Sequence, residues 1–241
     1  MITPCTSSER HHRIRGDQES WLTFYSDDRT DPYSGFGVLM SLNEDLLPPG
    51  VGLPRHVVRD GEVITYVREG ALEIIDASGR SARLSAGEFQ RRSTQSDVHY
   101  LERNASRANP ARVFRIGLPY PTPGPTPSVE RRRFSAADRR GRLRVIASSE
   151  ARDGALRLSQ DTLVLSALLA PGQHVVHSLS QRRSAWLHVV SGAVSAGGVI
   201  LTAGDGAGFT AEAAVSVTAR EETELVLVDL SDPPQPRRET L

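Results

Sequence analysis

Four polar side chains in the first half of the chain have the types and spacing to do chemistry. His56 and Glu62 stand near the start of the stretch 50–104, and Tyr100 and Glu102 near its end. Residues two apart in a strand share a face, so Tyr100 and Glu102 line one surface while His99 points the other way. An imidazole, a phenol and a carboxylate together supply an acid, a base and a hydrogen-bond donor. The imidazole and the carboxylate are also ligands for divalent ions. The second half offers His174, His177 and His188. The first two are three apart, on opposite faces of a strand, and make a poor ligand pair. His188 alternates with Trp186 and Val190 and reads as a packed core histidine.

Elements must hold these groups in place. The stretch 50–104 reads as a meander of short strands, with turns at Gly61, Gly70, Ser78-Gly79 and Ala86-Gly87 between runs rich in Val, Ile, Tyr and Leu. Before it, residues 1–20 read as a polar lead-in that frays, followed by two strands and a hard stop at Pro48-Pro49-Gly50. A strand at Val113–Leu118 closes this unit. Five prolines between Pro119 and Pro127 form a stiff connector that cannot enter a sheet interior. From Leu143 the strand pattern resumes, with turns at Asp153-Gly154, Pro171-Gly172, Gly197-Gly198 and Asp205-Gly206. Short helices fit only near Ser135–Arg140 and Ala211–Ala214. The spacing predicts an all-β chain of two similar barrels: residues 1–118 with the pocket, a linker at 119–130, a second barrel at 131–230 and a polar tail at 231–241.

Composition narrows the chemistry. Among 241 residues, 29 basic side chains balance 29 acidic ones, so no global field draws the chain to nucleic acid or to an anionic membrane. Every basic residue is arginine, which removes Schiff-base lysines and Walker-type phosphate loops. Seven arginines between Arg131 and Arg144, with the acidic Glu130 and Asp138 nearby, read as a solvated flank. Cys5 is the only cysteine. No apolar leader opens the chain, and the most apolar run, Thr162–Ala170, falls short of the ~20 residues that span a bilayer. A cytoplasmic protein is expected.

Gly50, His56, Glu62 and Gly70 follow the spacing of the first cupin motif, and Gly79, Ser85 and Gly87 keep the turn spacing of the second, with serine where proline is usual. The chain resembles the pirin family of bicupins, especially its short bacterial branch that includes quercetin 2,3-dioxygenases. Trp21, Phe24, Asp31-Pro32, Gly35-Phe36, Asn43, Asp45, Glu62–Tyr66, Glu69-Gly70, Gly87–Gln90, Glu102 and Asn104 carry the resemblance in the first half. Arg133-Phe134, Ala151–Gly154, Gln160-Asp161, Arg182-Arg183, Trp186, Val189-Val190, Gly192 and Asp205-Gly206 carry it in the second. It implies two tandem cupin (jelly-roll) β-barrels. It also implies a mononuclear metal, commonly iron, held in the first barrel by three histidines and a glutamate. Carried over residue by residue, His56 matches the first histidine and Glu102 the glutamate. Val58 stands where the second histidine belongs, and Tyr100 where the third does.

Valine cannot bind a metal, and a neutral phenol of ordinary pKa ~10 is a poor ligand. Loss of even a supporting partner costs roughly 10–100-fold in affinity, and loss of two imidazoles more. His99 reaches the site only through a bulge or register slip. The expectation is therefore a chain without a cofactor, the alternative being iron or another divalent transition ion held weakly by His56 and Glu102. A small aromatic or polyketide-like molecule would bind among His56, Val58, Tyr100 and Glu102. Glu102 would act as base in an isomerisation or cyclisation, with Tyr100 and His56 steadying negative charge. Two alternatives stand beside this: a metal-dependent dioxygenase of the quercetin 2,3-dioxygenase type, and a non-catalytic bicupin that binds a protein partner.

Overall fold

The protein is described from a computed structural model covering residues 1–25, 32–58, 61–94, 98–120 and 127–231, with the side chains of residues 32, 54–58, 94, 98 and 99 outside that description. The first twelve strands are β1 (Ile2–Cys5), β2 (His11–Arg15), β3 (Gln18–Leu22), β4 (Ser41–Leu47), β5 (Gly52–Val58), β6 (Gly61–Glu69), β7 (Ala71–Ile75), β8 (Ser81–Ser85), β9 (Glu88–Thr94), β10 (Val98–Asn104), β11 (Ala111–Pro119) and β12 (Ser128–Arg133). A one-turn helix, α1 (Ala136–Arg139), follows, capped by the Ser135 side chain, which accepts from the Asp138 N–H at 3.3 Å. The second half contains β13 (Arg144–Ser148), β14 (Leu156–Arg157), β15 (Thr162–Leu169), β16 (His174–Ser178), β17 (Arg183–Ser191), β18 (Ala193–Ala196), β19 (Val199–Thr202), β20 (Gly206–Thr210), β21 (Ala214–Ala219) and β22 (Thr223–Ser231). Ala214 thus opens a strand, not the second short helix the sequence suggests.

Each half pairs a seven-stranded sheet with a four-stranded one. The first half has the orders β12-β9-β6-β11-β4-β3-β2 and β5-β10-β7-β8, and the second has β1-β20-β17-β22-β15-β13-β14 and β16-β21-β18-β19. Among the described strands every ladder is antiparallel except that of β13 with β14. Among the described residues no sheet closes on itself. The expected pair of tandem cupin β-barrels is corrected by this: the strands are those of two open double-sheet units. The ladder breaks where the chain passes from one sheet to the other. Between β4 and β5, Pro48 and Pro49 have no N–H to donate and Gly50 turns with φ +71°, so β5 leaves the large sheet and joins β10.

The core has three layers. Leu47, Leu53, Val67, Leu72, Ile74, Leu84, Tyr100, Ala111 and Val113 fill the space between the two sheets of the first half. A second cluster, including Leu187, Leu201, Phe209, Val217 and Leu227, fills the corresponding space of the second half. The third joins the halves: Ile64, Tyr66, Phe89, Phe114 and Ile116 of one large sheet, with Phe134 after β12, meet Ile146, Trp186, Val226 and Val228 of the other. Side chains alternate along β6, so Ile64 and Tyr66 serve this central layer while Val67 serves the first-half interior.

Two strands cross between the halves. β1 pairs with β20 of the second half, and β12 pairs with β9 of the first. Residues 2–5 are therefore a strand and not a frayed lead-in. Burial, followed by the charge of Glu9, pushes the Cys5 thiol up to about 11, which keeps it protonated and a weak nucleophile. The two halves share a corner device, Gly70 between β6 and β7 and Gly192 between β17 and β18, both at positive φ (+74° and +82°). A Cβ at Gly70 would stand 2.6 Å from the Pro110 carbonyl oxygen, and one at Gly192 would collide with the Glu222 carbonyl.

Candidate functional site

β10 carries the site. Along it Tyr100, Glu102 and Asn104 are buried while Leu101 is 42% exposed, so the first three face the interior of the first half. The strand lies between β5 and β7. Tyr100 sits opposite His56, but Glu102 sits opposite Leu53, so β5 takes up one extra residue between these pairs. Asn104 ties down the end of the strand. Its Nδ2 donates to the carbonyls of Leu47 (3.0 Å), Pro48 (3.1 Å) and Asn109 (2.8 Å), which fixes the site strand to the β4–β5 bend.

The facing large sheet supplies the charges. Arg115 of β11 lies between two acids: its Nη2 donates to Glu102 Oε2 and its Nη1 to Asp45 Oδ2 of β4. The Ser20 hydroxyl donates to the other Asp45 oxygen at 2.6 Å, and Gln18 Nε2 donates to Ser20 Oγ at 3.2 Å. Burial pulls the Arg115 guanidinium down, but the charges of Glu102 and then Asp45 outweigh it and raise it above its ordinary value. Burial, followed by the Glu102 charge, pushes the Tyr100 phenol up to about 12 against the opposing effects of Arg115 and Arg92. Tyr100 is thus a neutral hydrogen-bond donor at physiological pH. Arg92 of β9 lies over its ring, with Cζ 4.4 Å from the centroid. Leu53, Val67, Leu72, Ile74 and Leu84 pack around these groups, so the first-half interior that holds them, the chamber, is otherwise apolar.

Tyr100 and Glu102 are brought together on one inward face, as their spacing predicts. The backbone of His56 is placed opposite Tyr100, and Val58 lies two residues farther along β5. The side chains of His56, Val58 and His99 lie outside the described residues, as do residues 121–126 of the connector, residues 26–31 and the tail from 232. Among the described residues no three His, Cys, Asp or Glu side chains gather into a metal-holding group.

Glu62 is not part of this chamber. It lies on the β6 face that meets the second half, where its carboxylate accepts from the Ser159 N–H (2.8 Å) and hydroxyl (3.2 Å). Burial raises its pKa, opposed by these hydrogen bonds and by Arg91. A comparable buried network crosses the halves nearby: Tyr66 Oη donates to Glu224 Oε1 at 2.5 Å, and Arg139 Nη1 donates to the same oxygen at 2.7 Å. The arginine run is largely absorbed in such contacts. Arg139 is buried against Glu224, Arg142 donates to the Asp138 carbonyl at 2.9 Å, and Arg131 donates to Gln90 Oε1 at 2.8 Å.

The second-half histidines form no site among the described residues. His174 contacts Thr218 Oγ1 at 2.9 Å and His177 contacts Asp229 Oδ2 at 2.7 Å, from opposite faces of β16. His188 is 1% exposed, and its pKa is driven well down by burial and then by the charge of Arg10. Sequence reasoning passed over Arg115 and Arg92. The signal for Arg115 was present: one charge inside the apolar run Val113–Leu118 must find a buried counter-ion.

This fold and site define a bicupin, and its relatives say which. Residues 7–117 match the family model described as Pirin, and residues 145–230 match the Quercetinase C-terminal cupin domain. The chain is 34% identical over 231 residues to quercetin 2,3-dioxygenase of Escherichia coli K12, covering 95% of this chain and 99% of that protein. It is 35% identical over 223 residues to a pirin-like protein of Caulobacter vibrioides, covering 90% and 96%. Among solved structures, the nickel(II) complex of the bacterial pirin YhhW from E. coli superposes with a TM-score of 0.89 at 33% identity, covering 97% of this chain and all of that one. The chain belongs to the pirin family. The expectation of a chain without a cofactor does not stand against these relatives: one is a nickel(II) complex, and several carry the name of an oxygenase. Among the described residues no helix is long and apolar enough to cross a membrane.

Proposed function

We propose that this bicupin is a metal-dependent oxidoreductase of the quercetin 2,3-dioxygenase type with a reduced set of ligands. The observation that carries the reading is the buried pair Tyr100 and Glu102 on β10, with His56 in register across β5, in a chain aligned with such an enzyme over nearly its whole length. The donor chemistry fits a divalent ion held weakly: an imidazole from His56 and a carboxylate from Glu102, with no donor from Val58. A bound divalent ion supplies a Lewis acid that eases ionisation of an aromatic hydroxyl.

The chain's own groups do the remainder. Arg115 clamps Glu102 by one oxygen, so the carboxylate is set in place before any ligand arrives. The Tyr100 hydroxyl, neutral because its pKa is raised, donates a hydrogen bond to a substrate oxygen on which negative charge develops. The apolar wall of Leu53, Leu72 and Ile74 excludes water and accepts the rings of an aromatic substrate. The metal-independent isomerase or cyclase reading has less support, since relatives aligned over nearly the whole chain carry the name of a dioxygenase or are described as a nickel(II) complex.

The test is metal content together with oxygen uptake. Protein purified without chelators and supplemented with iron(II) or nickel(II) is expected to bind up to one ion per chain and to consume oxygen with quercetin. Glu102→Gln should abolish both. A chain that takes up no ion at millimolar concentration, or turns over equally well with chelator present, sinks the proposal.

A further inference from the structure

The interior of the first half contains a cation whose charge has no carboxylate partner among the described residues. Arg115 is matched by two carboxylates. Arg92 is half-buried on the same sheet face, and its guanidinium makes no hydrogen bond or ion pair among the described residues; its Nε is buried without a partner. Register confirms the face: Arg92 pairs with Val63, two residues from Thr65, which pairs with Arg115. Arg131 follows on the neighbouring strand, where Val129 pairs with Arg92 and Arg131 with Gln90, and it too has no carboxylate partner among the described residues. One face of the Arg92 guanidinium lies on the Tyr100 ring. A stacked guanidinium keeps its hydrogen-bonding edge in the plane of the group, where it can grip two adjacent anionic oxygens. A half-buried cation with no carboxylate among the described residues gains when a ligand supplies the anion.

We propose that Arg92 is the specificity-determining residue of the chamber, binding the substrate as an anion through two neighbouring oxygens, as in an ionised flavonol, a catecholate or the carboxylate of a 2-hydroxybenzoate. This rests on the reading of the first-half chamber as the substrate pocket and adds the charge state of what enters it. Arg131 adds positive potential at the same edge, and Tyr100 keeps the guanidinium flat.

Two probes test it on the full-length chain: quercetin, titrated below and above its first ionisation, and salicylate, followed by tryptophan fluorescence and by quercetin absorbance. The ionised form meets Arg92 with charge-assisted hydrogen bonds, which are stronger than neutral ones, so wild type should bind ionised quercetin on the order of 10- to 100-fold more tightly than neutral quercetin. Arg92→Met should abolish this preference while leaving the neutral form bound about as before, and Arg92→Lys should restore part of it. The proposal is overturned if Arg92→Met binds the anion as tightly as wild type does. It is also overturned if that variant loses both forms equally, which would make Arg92 a packing residue. If salicylate binds in an Arg92-dependent way and quercetin does not bind at all, the flavonol reading falls while the anion site stands. Binding of neither probe to wild type rejects both. Should Arg92→Met fail to fold, the pH preference of wild type against Arg92→Lys decides the matter.

Discussion

Replacing Arg115 by methionine removes the cation between Glu102 and Asp45 while keeping most of the side-chain volume. Arg115 is 5% exposed, and its partners are 1% and 5% exposed, so water cannot take over the lost contacts. Breaking a buried ion pair from one side costs about 3–5 kcal/mol, because the surviving charge is left uncompensated. Asp45 keeps the Ser20 hydroxyl at 2.6 Å, which softens its share of the loss. With a urea m-value of ~3 kcal/mol/M for a chain of this size, the midpoint of unfolding should fall by about 1–1.7 M at unchanged m. The double variant Arg115→Met/Glu102→Gln should recover roughly half of that, since it removes one of the two stranded charges. A cost for Arg115→Met below ~1 kcal/mol, or a double variant less stable than the single one, would refute the reasoning, for it would mean that water already solvates these acids.

Three further outcomes are expected. In a spectrophotometric titration, wild type minus Tyr100→Phe should show one phenol ionising near 12 and none near the ordinary 10. The neutral form is the one the fold prefers, so this group's contribution to stability is complete below about pH 10 and is lost as pH rises towards 12; a difference titration centred on 10 would contradict its burial. Val58→His supplies the imidazole that the family pattern has at that position, and metal affinity measured by competition with a chelator should rise by at least ~10-fold; no gain would mean that residue 58 does not front the ion. Gly192→Ala forces a Cβ against the Glu222 carbonyl at φ +82° and should lower stability by about 2 kcal/mol or more in urea unfolding, whereas Gly79→Ala, with open space around it at φ +80°, should cost only about 1 kcal/mol.

The all-β character, the turn at Gly70 and the shared face of Tyr100 and Glu102 were legible in the sequence because each is a local matter. Strand alternation has a period of two, and a buried Glu between exposed Leu101 and Arg103 states its own face. The loss of imidazole at Val58 is likewise read directly from residue type. What the alternation of β6 could not say is which face meets which layer, because that strand is buried on both sides. Only packing against the second half turned Glu62 away from the chamber and towards Ser159. The same holds for sheet closure, for the crossing of β1 and β12, and for Arg115, whose two acids come from strands far apart in the chain. Local pattern determines which way a side chain points from its own strand; which strand it then meets is decided by long-range pairing, where the cost of closing the loops is repaid only in the assembled sheets.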